Sequence, residues 1–257
     1  YASSMVSGPE VITLGTPAAL NTTVSANTDG SYVIRLTVTD NAGNSNNSIF
    51  TLTWDTVVPT VSAGAAPSPK NALFTQTGSA SDSSPSSGIA AITWTQVSGP
   101  GTVTFGSVNA TTTTVSANTN GSYTIRLTVV DNAGNSNNSI VSFTWDTTNP
   151  TVSAGTAPSP KNALFTQAGS AADATSGLAS TVWTQVSGPG TVTFGTATAT
   201  TTIVSASADG TYVIKLTAVD NAGNSADSTV TFVWDTVAPT VNAGLNVSKN
   251  TLFTTSA

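Results

Sequence analysis

The chain has 257 residues, only 7% of them charged, and a formal net charge of −6. Its acidity excludes nucleic-acid binding of the usual kind, which needs clusters of lysine and arginine. Histidine and cysteine are absent and Glu10 is the only glutamate, which excludes catalytic triads, Cys-His pairs and disulfides. We therefore expect a protein that is not an enzyme. No stretch is apolar enough over sufficient length to predict a membrane span.

Two markers repeat along the chain with the same spacing. The hexapeptide Asp-Asn-Ala-Gly-Asn-Ser begins at residues 40, 131 and 220, and Trp-Asp-Thr begins at residues 54, 145 and 234. Both sets of positions are separated by 91 and then 89 residues. This period matches one immunoglobulin-type sandwich of about 100 residues. We predict a partial module over 1–54, complete modules over 55–145 and 146–234, and the opening strands of a further module over 235–257.

The sequence of the second module predicts seven short strands. We place them at residues 60–63, 72–78, 89–97, 102–105, 111–116, 122–130 and 139–145. The sixth is the clearest, because Tyr123, Ile125, Leu127 and Val129 alternate with polar residues at the period of a half-buried strand. No window has helical periodicity. The predicted fold class is all-β, with tandem seven-stranded antiparallel sandwiches arranged end to end.

Aromatic positions narrow this fold to an immunoglobulin-like sandwich. Trp94 lies on the third strand, where that fold places its core tryptophan, and Tyr123 opens the sixth strand in a Gly-x-Tyr sequence typical of a tyrosine corner. Trp183 and Tyr212 repeat these positions in the next module. The tryptophans at 54, 145 and 234 end the last strand of each module, and we expect them to cap the core.

Two segments resemble a known family. The run GSYTIRLTVVDNAGN, residues 121–135, resembles the closing strands of polycystic-kidney-disease-type (PKD-like) immunoglobulin-like repeats. WTQVSGPGTVTF, residues 94–105, is similar to the third strand and following turn of their relatives in bacterial surface proteins. The family's frequent Trp-Asp-Phe-Gly-Asp-Gly is replaced here by Trp-Thr-Gln-Val-Ser-Gly-Pro. The resemblance implies a spacer, stalk or adhesive unit, and it names no ligand.

The ends of the chain fall inside modules. Tyr1 aligns with Ile92 in the third strand, and the run after Lys249 matches the run after Lys161, in a second strand. One interpretation is a window on a longer chain. The other is that the C-terminal strands of one copy complete the open N-terminal module of the next, head to tail.

Recurring aspartates form the candidate site. In a seven-stranded sandwich, the start of the first strand, the loop between strands two and three and the loop between strands six and seven lie at one pole. Three carboxylates with backbone and amide carbonyls suit Ca²⁺, which takes 6–8 oxygen ligands. The predicted calcium ligands are Asp55, Asp82 and Asp131 in module two and Asp146, Asp173 and Asp220 in module three.

Turn chemistry alone is the alternative explanation of these aspartates. Asp131 opens an Asp-Asn-Ala-Gly turn, in which aspartate is favoured because its side chain binds nearby backbone N–H groups. The spacing is not that of an EF-hand loop, so no local signature decides between calcium and turn.

The sequence alone leaves three possible functions open. The near-identity of the modules favours a structural rod, stalk or fibre outside the cell, and the lack of cysteine favours a prokaryotic surface protein. An adhesin repeat that binds carbohydrate or another cell would need an exposed aromatic cluster or a loop found in one module only. A spacer attached to an enzyme is the third. Expected partners are neighbouring modules or further copies of the chain.

Overall fold

The computed structural model describes residues 1–242 and residue 248, and every regular element in this part of the chain is a β-strand. Accordingly, none of the described residues belongs to a helix of the length and hydropathy needed to cross a membrane. Contacts divide the chain into two units, residues 1–148 and residues 149–257. Modules one and two lie in the first unit, and most of module three lies in the second.

The strands follow the repeat. Module one contains β1 (Ala2–Ser7), β2 (Thr13–Leu14), β3 (Val24–Ser25), β4 (Gly30–Thr39) and β5 (Ser45–Trp54). Module two contains β6 (Thr60–Ser62), β7 (Phe74–Thr77), β8 (Ser79–Ser81), β9 (Ile89–Ser98), β10 (Val103–Phe105), β11 (Thr112–Ala117), β12 (Gly121–Asp131) and β13 (Ser136–Trp145). Module three contains β14 (Thr151–Ser153), β15 (Phe165–Ala168), β16 (Ser170–Ala172), β17 (Leu178–Ser187), β18 (Val192–Phe194), β19 (Thr201–Ala206), β20 (Gly210–Asp220) and β21 (Ser225–Trp234).

Module two is an antiparallel sandwich. One sheet has the order β9-β12-β13, the other has the order β7-β11-β10, and β6 pairs with β8. The core includes Trp94 and Leu127, which lie opposite each other in the β9–β12 pair, together with Val115 and Phe143. Trp145 is 7% exposed and belongs to the same core, as predicted for the tryptophan that ends the last strand. The predicted all-β, immunoglobulin-like fold class is confirmed.

Two of the predicted strands differ from the structure by more than one residue at an end. The predicted second strand, 72–78, is shortened to β7, which pairs with β11, and it is followed by the unpredicted strand β8, which pairs with β6. Gly78 lies between them, where a Cβ atom would come within 2.8 Å of a side-chain carbon of Leu127 and 2.7 Å of the carbonyl oxygen of Ser62. The last strand begins at Ser136 rather than Ser139, because its ladder with β12 continues to the Ser136–Val130 pair.

The Ser-Gly-Pro and Gly-x-Tyr sequences pack tightly against each other, an arrangement that we call the interlock. Gly99 has a φ of +147°, and a Cβ atom there would overlap the ring of Tyr123. In return, a Cβ atom on Gly121 would lie 2.7 Å from Cγ of Pro100. The Tyr123 hydroxyl donates to the carbonyl of Thr119 at 2.6 Å, which is the predicted tyrosine corner. The same contacts recur at Tyr32 and Tyr212.

Module one exposes residues that module two buries. Val38 is 43% exposed and Phe50 is 51% exposed, whereas the matching Val129 and Val141 of module two are 0% and 6% exposed. The structure assigns no strand to residues 235–242, where part of the further module was predicted. Residues 243–247 and 249–257 of that predicted segment lie outside the described residues.

The interlock predicts unequal costs for two glycine substitutions. Gly99→Ala should lower the free energy of unfolding by about 3 kcal/mol or more, because the new methyl group collides with the buried Tyr123 ring. Gly134→Ala should cost only about 1–2 kcal/mol, since Gly134 has a φ of +94° but nothing lies within 4 Å of the added Cβ atom. Urea unfolding of both variants measures the difference, and equal costs would contradict it.

Candidate metal centre

Three carboxylates from separate elements meet at one pole of module two. Asp55 follows β5 in the segment that leads into β6, Asp82 follows β8, and Asp131 ends β12. One carboxylate oxygen of each lies within 4.8 Å of those of the other two. Asp55 is 8% and Asp131 is 2% exposed, and Asp82 is partly buried. The antiparallel order of the strands causes this meeting, because it returns the chain to the same pole.

Asp131 is bonded to its own turn. Its Oδ1 accepts hydrogen bonds from the backbone N–H of Ala133 at 2.9 Å and of Asn135 at 2.8 Å. Its Oδ2 accepts one from the Asn135 side-chain amide at 2.9 Å. Asp40 and Asp220 form the same bonds in the other two modules. Turn chemistry therefore accounts for an aspartate at this position.

Asp55 connects the linker to module two. Its Oδ1 accepts from Val57 N at 3.0 Å, and its Oδ2 accepts from Ser87 N at 2.7 Å. Its backbone carbonyl accepts from the side-chain amide of Asn135 at 3.0 Å. The bonds from Ser87 lower the pKa of Asp55 below its ordinary value, and burial opposes this shift. Asp55 is therefore favoured in its ionised form.

Asp82 has one oxygen without a partner. Its Oδ2 accepts a hydrogen bond from Gly88 N at 2.9 Å. Its Oδ1 is buried and has no hydrogen-bond partner. A buried acceptor without a partner is costly, and in native proteins it usually has an explanation such as a water or an ion. Turn chemistry thus does not account for this oxygen.

The charge of the cluster is not balanced by protein cations. The ion pair found in the described part of the chain, Lys215 with Asp227 at 3.3 Å, belongs to module three and involves none of Asp55, Asp82 and Asp131. Two oxygens on opposite sides of a Ca²⁺ ion are about 4.6–5.2 Å apart, twice the Ca–O distance. The spacing in the cluster is compatible with this value. Each carboxylate also has about four lone-pair positions, so Asp55 and Asp131 retain acceptor capacity.

The second predicted set is divided between the two units. Asp146 is fully buried in the first unit, where its Oδ1 accepts from Thr148 N at 3.0 Å and from the Asn120 side-chain amide at 3.2 Å. Asp173 and Asp220 belong to the second unit, with Asp173 in the loop before β17 and Asp220 at the end of β20. Calcium binding by Asp146, Asp173 and Asp220 stays a prediction.

The sequence analysis missed residues that bind the linkers. Asp29 accepts from the backbone N–H and the hydroxyl of Thr56 at 3.0 and 3.1 Å. Asn120 accepts the same two bonds from Thr147, and Asp209 accepts them from Thr236. Each pair is separated by 27 residues. These pairs recur at the spacing of the modules, and that recurrence is the sequence signal that could have identified them.

The pKa of Asp55 predicts a pH-dependent contribution to stability. A lowered pKa in the folded state means that the ionised carboxylate stabilises the fold above its ordinary pKa of 3.8 and loses this effect as the pH falls through the folded value. With chelator present, the urea midpoint of the unmodified chain should exceed that of Asp55→Asn at neutral pH, and the gap should close below pH 3.8. A gap that is constant with pH would contradict this.

Comparisons with known proteins identify a family and give two solved structures of low similarity. A family model described as K319L-like, PKD domain matches residues 1–53, 69–145 and 156–233. A search of curated proteins found no match. Among solved structures, protocadherin gamma B2 extracellular cadherin domains 3–6 are 14% identical, with 91% of this chain and 68% of that chain covered and a TM-score of 0.37. The fibronectin(III)-like modules of CbhA from Clostridium thermocellum are 12% identical, with 69% and 94% covered and a TM-score of 0.34.

The family match agrees with the repeat read from the sequence. Its three segments fall one in each predicted module and together cover most of the 257 residues. They include the strands and turns on which the PKD resemblance was based. The chain therefore belongs to the K319L-like PKD domain family.

Proposed function

We propose that this chain is a non-catalytic structural segment of an extracellular rod, stalk or fibre, and that Ca²⁺ stiffens the junctions between its modules. The observation that carries the proposal is the double role of Asp55. It lies in the segment that joins modules one and two, and its carboxylate belongs to the cluster with Asp82 and Asp131. An ion held by this cluster would fix the linker to the pole of module two.

The linker is held on both sides within the first unit. On the side of module one, Asp29 accepts two hydrogen bonds from Thr56. On the side of module two, the side-chain amide of Asn137 donates to the carbonyl of Pro59 at 2.9 Å, in addition to the bond from Asn135 to Asp55. A segment tied at both ends has few ways to bend. This arrangement suits a load-bearing repeat.

Calcium is the cation that suits these donors. The cluster offers hard carboxylate oxygens and no nitrogen or sulfur ligand, a set preferred by Ca²⁺ and Mg²⁺ over transition metals. Ca²⁺ tolerates the irregular geometry of ligands from three separate loops better than Mg²⁺, which demands an octahedron. We extend the proposal to Asp146, Asp173 and Asp220, which recur at the same positions of the repeat.

A structural role is favoured over sugar binding by the placement of the aromatic residues. Binding of carbohydrate by stacking needs exposed aromatic rings close together. In the described part of the chain, the exposed aromatic residues are Tyr1 and Phe50, and Phe50 lies at a position that is core in module two. The rings of Trp94, Tyr123 and Phe143 are buried.

Further modules of the same kind are the proposed partners. The exposed face of module one carries Val38 and Phe50, at positions that module two covers in its own core. Strands of another such module, from the same chain or from a second copy placed head to tail, would cover this face. We place the protein outside the cell, on a prokaryotic surface, since it holds no cysteine in 257 residues.

Calcium should raise the thermal stability of the chain. Ca²⁺ at 100 times its dissociation constant is expected to add about 2.7 kcal/mol to the stability of the module that binds it, and chelator should reverse the effect. Scanning calorimetry measures the change in Tm. Asp131→Asn should reduce the shift, whereas Asp227→Asn should leave it intact, since Asp227 pairs with Lys215 instead. A Tm indifferent to Ca²⁺ and chelator would refute the cation part of the proposal.

Loss of calcium should also loosen the junction. With spin labels on exposed residues of modules one and two, such as Thr53 and Thr104, the distance distribution should be narrow in Ca²⁺ and broaden in chelator. Asp29→Ala should broaden it in both conditions, because the two bonds to Thr56 are lost. A distance distribution of the same width in all four samples would show that neither Ca²⁺ nor the bonds from Thr56 to Asp29 control the junction.

A further inference from the structure

The side chain that binds the linker after each module is not the same in all three modules. Asp29, Asn120 and Asp209 each accept hydrogen bonds from the backbone N–H and the hydroxyl of a linker threonine 27 residues later. We call this residue the linker clamp of its module. Glycine follows the linker clamp in every module. Module two alone has an amide at this position, and its sequence there is Asn-Gly instead of Asp-Gly.

The amide of Asn120 makes two bonds that a carboxylate could not donate. Its Nδ2 donates to Oδ1 of Asp146 at 3.2 Å and to the Thr148 hydroxyl at 2.6 Å. Asp146 is fully buried. A buried, ionised carboxylate is stabilised by each N–H group that points at it. Replacing the amide by a carboxylate would therefore remove a donor from Asp146 and place a second negative charge beside it.

Asn120 and Gly121 form the only Asn-Gly sequence in the 257 residues. Asparagine before glycine cyclises readily, because glycine has no side chain to hinder attack by its nitrogen on Cγ of the asparagine. The Gly121 nitrogen loses its proton and bonds to Cγ, the bond from Cγ to Nδ2 breaks, and Nδ2 leaves with that proton as ammonia. Water then opens the succinimide ring. Its attack at Cγ gives aspartate, whereas its attack at the backbone carbonyl carbon gives isoaspartate.

The folded chain restrains both reacting groups. The Asn120 side chain takes part in four hydrogen bonds, two accepted from Thr147 and two donated to Asp146 and Thr148. Gly121 lies opposite Trp145 at the end of the β12–β13 ladder. For Cγ to reach the Gly121 nitrogen, the side chain has to turn away from its hydrogen-bonding partners. The rate of ring closure therefore depends on how often this linker clamp opens.

We propose that Asn120 is a site of spontaneous deamidation, and that the hydrogen bonds of its linker clamp control the rate of this modification. The reaction uses only water from the solvent and needs neither Ca²⁺ nor a partner protein. The aspartate product would accept both bonds from Thr147, as Asp29 does from its own linker threonine. It would no longer donate to Asp146. The modification thus weakens the attachment of the linker that leaves module two.

The isoaspartate product would also disturb the tyrosine corner of module two. In isoaspartate the main chain passes through Cγ, which adds one backbone atom between Thr119 and Tyr123. These two residues are joined by the hydrogen bond from the Tyr123 hydroxyl to the Thr119 carbonyl. The path of the next residue is also restricted, because a Cβ atom on Gly121 would lie 2.7 Å from Cγ of Pro100. A longer main chain does not fit these contacts.

Peptide mapping by mass spectrometry of the intact chain, incubated in alkaline buffer with chelator, tests the proposal. In the urea-unfolded chain, Asn120 should deamidate faster than the other asparagines. In the folded chain its rate should be at least about tenfold lower, the effect of one strong hydrogen bond. The double variant Thr147→Val with Thr148→Val removes two of the four bonds and should deamidate severalfold faster than the unmodified folded chain. The matched Thr236→Val should leave the rate at Asn120 unchanged.

Equal rates at Asn120 in the folded and unfolded chains would overturn the proposal, and so would a double variant that deamidates no faster than the unmodified chain. The proposed calcium function would stand in either case, because chelator is present throughout.

The substitution Asn120→Asp reproduces the aspartate product and tests its effect on stability. It should lower the folding equilibrium constant of module two about tenfold, because Asp146 loses a donor and gains a charged neighbour. Asp209→Asn makes the reverse change in module three and should leave stability intact, since an amide oxygen accepts both bonds from Thr236 equally well. Urea unfolding with chelator at neutral pH measures both. An Asn120→Asp chain as stable as the unmodified one would overturn the link between deamidation and the linker.

Discussion

The junction between modules one and two depends on the position of one side chain, Asp55. Its backbone belongs to the linker, and its carboxylate accepts a hydrogen bond from the long loop of module two. Its carbonyl is held by Asn135, which also caps the carboxylate of Asp131. The linker, the loop and the turn therefore share one network of polar contacts. A change of charge at the cluster acts on the joint between modules rather than on either core.

The fold makes this network available by a simple constraint. An antiparallel sandwich returns its chain to the same pole every second strand, so segments distant in sequence meet there. The interlock of Gly99 with the Tyr123 ring, and of Pro100 with Gly121, fixes how β9 meets the start of β12. Because each module repeats these contacts, differences between poles arise from the loops. The two extra residues between Asp82 and Gly88 are the clearest such difference.

Some structural features were not evident from local patterns. Gly78 separates β7 from β8, a strand that was not predicted, because the chain changes sheets there and Leu127 and the Ser62 carbonyl leave no room for a side chain. The bonds from Thr56 to Asp29 join residues 27 positions apart, and neither residue type is distinctive alone. Such contacts depend on the approach of two elements, which periodicity within one element does not report.

The sequence by itself determined the repeat, the all-β class and the tyrosine corner, and it predicted the three aspartate positions, because these depend on a repeated pattern and on strand periodicity. The tertiary structure decided which oxygens of the aspartate carboxylates accept hydrogen bonds. Asp82 and Asp173 are the same residue at matching positions, yet the oxygen that accepts from the following glycine accepts four hydrogen bonds in Asp173 and one in Asp82, whose other oxygen is buried without a partner. The physical reason is that hydrogen bonding depends on distances of a few tenths of an ångström, which follow from the path of the loop and the packing around it.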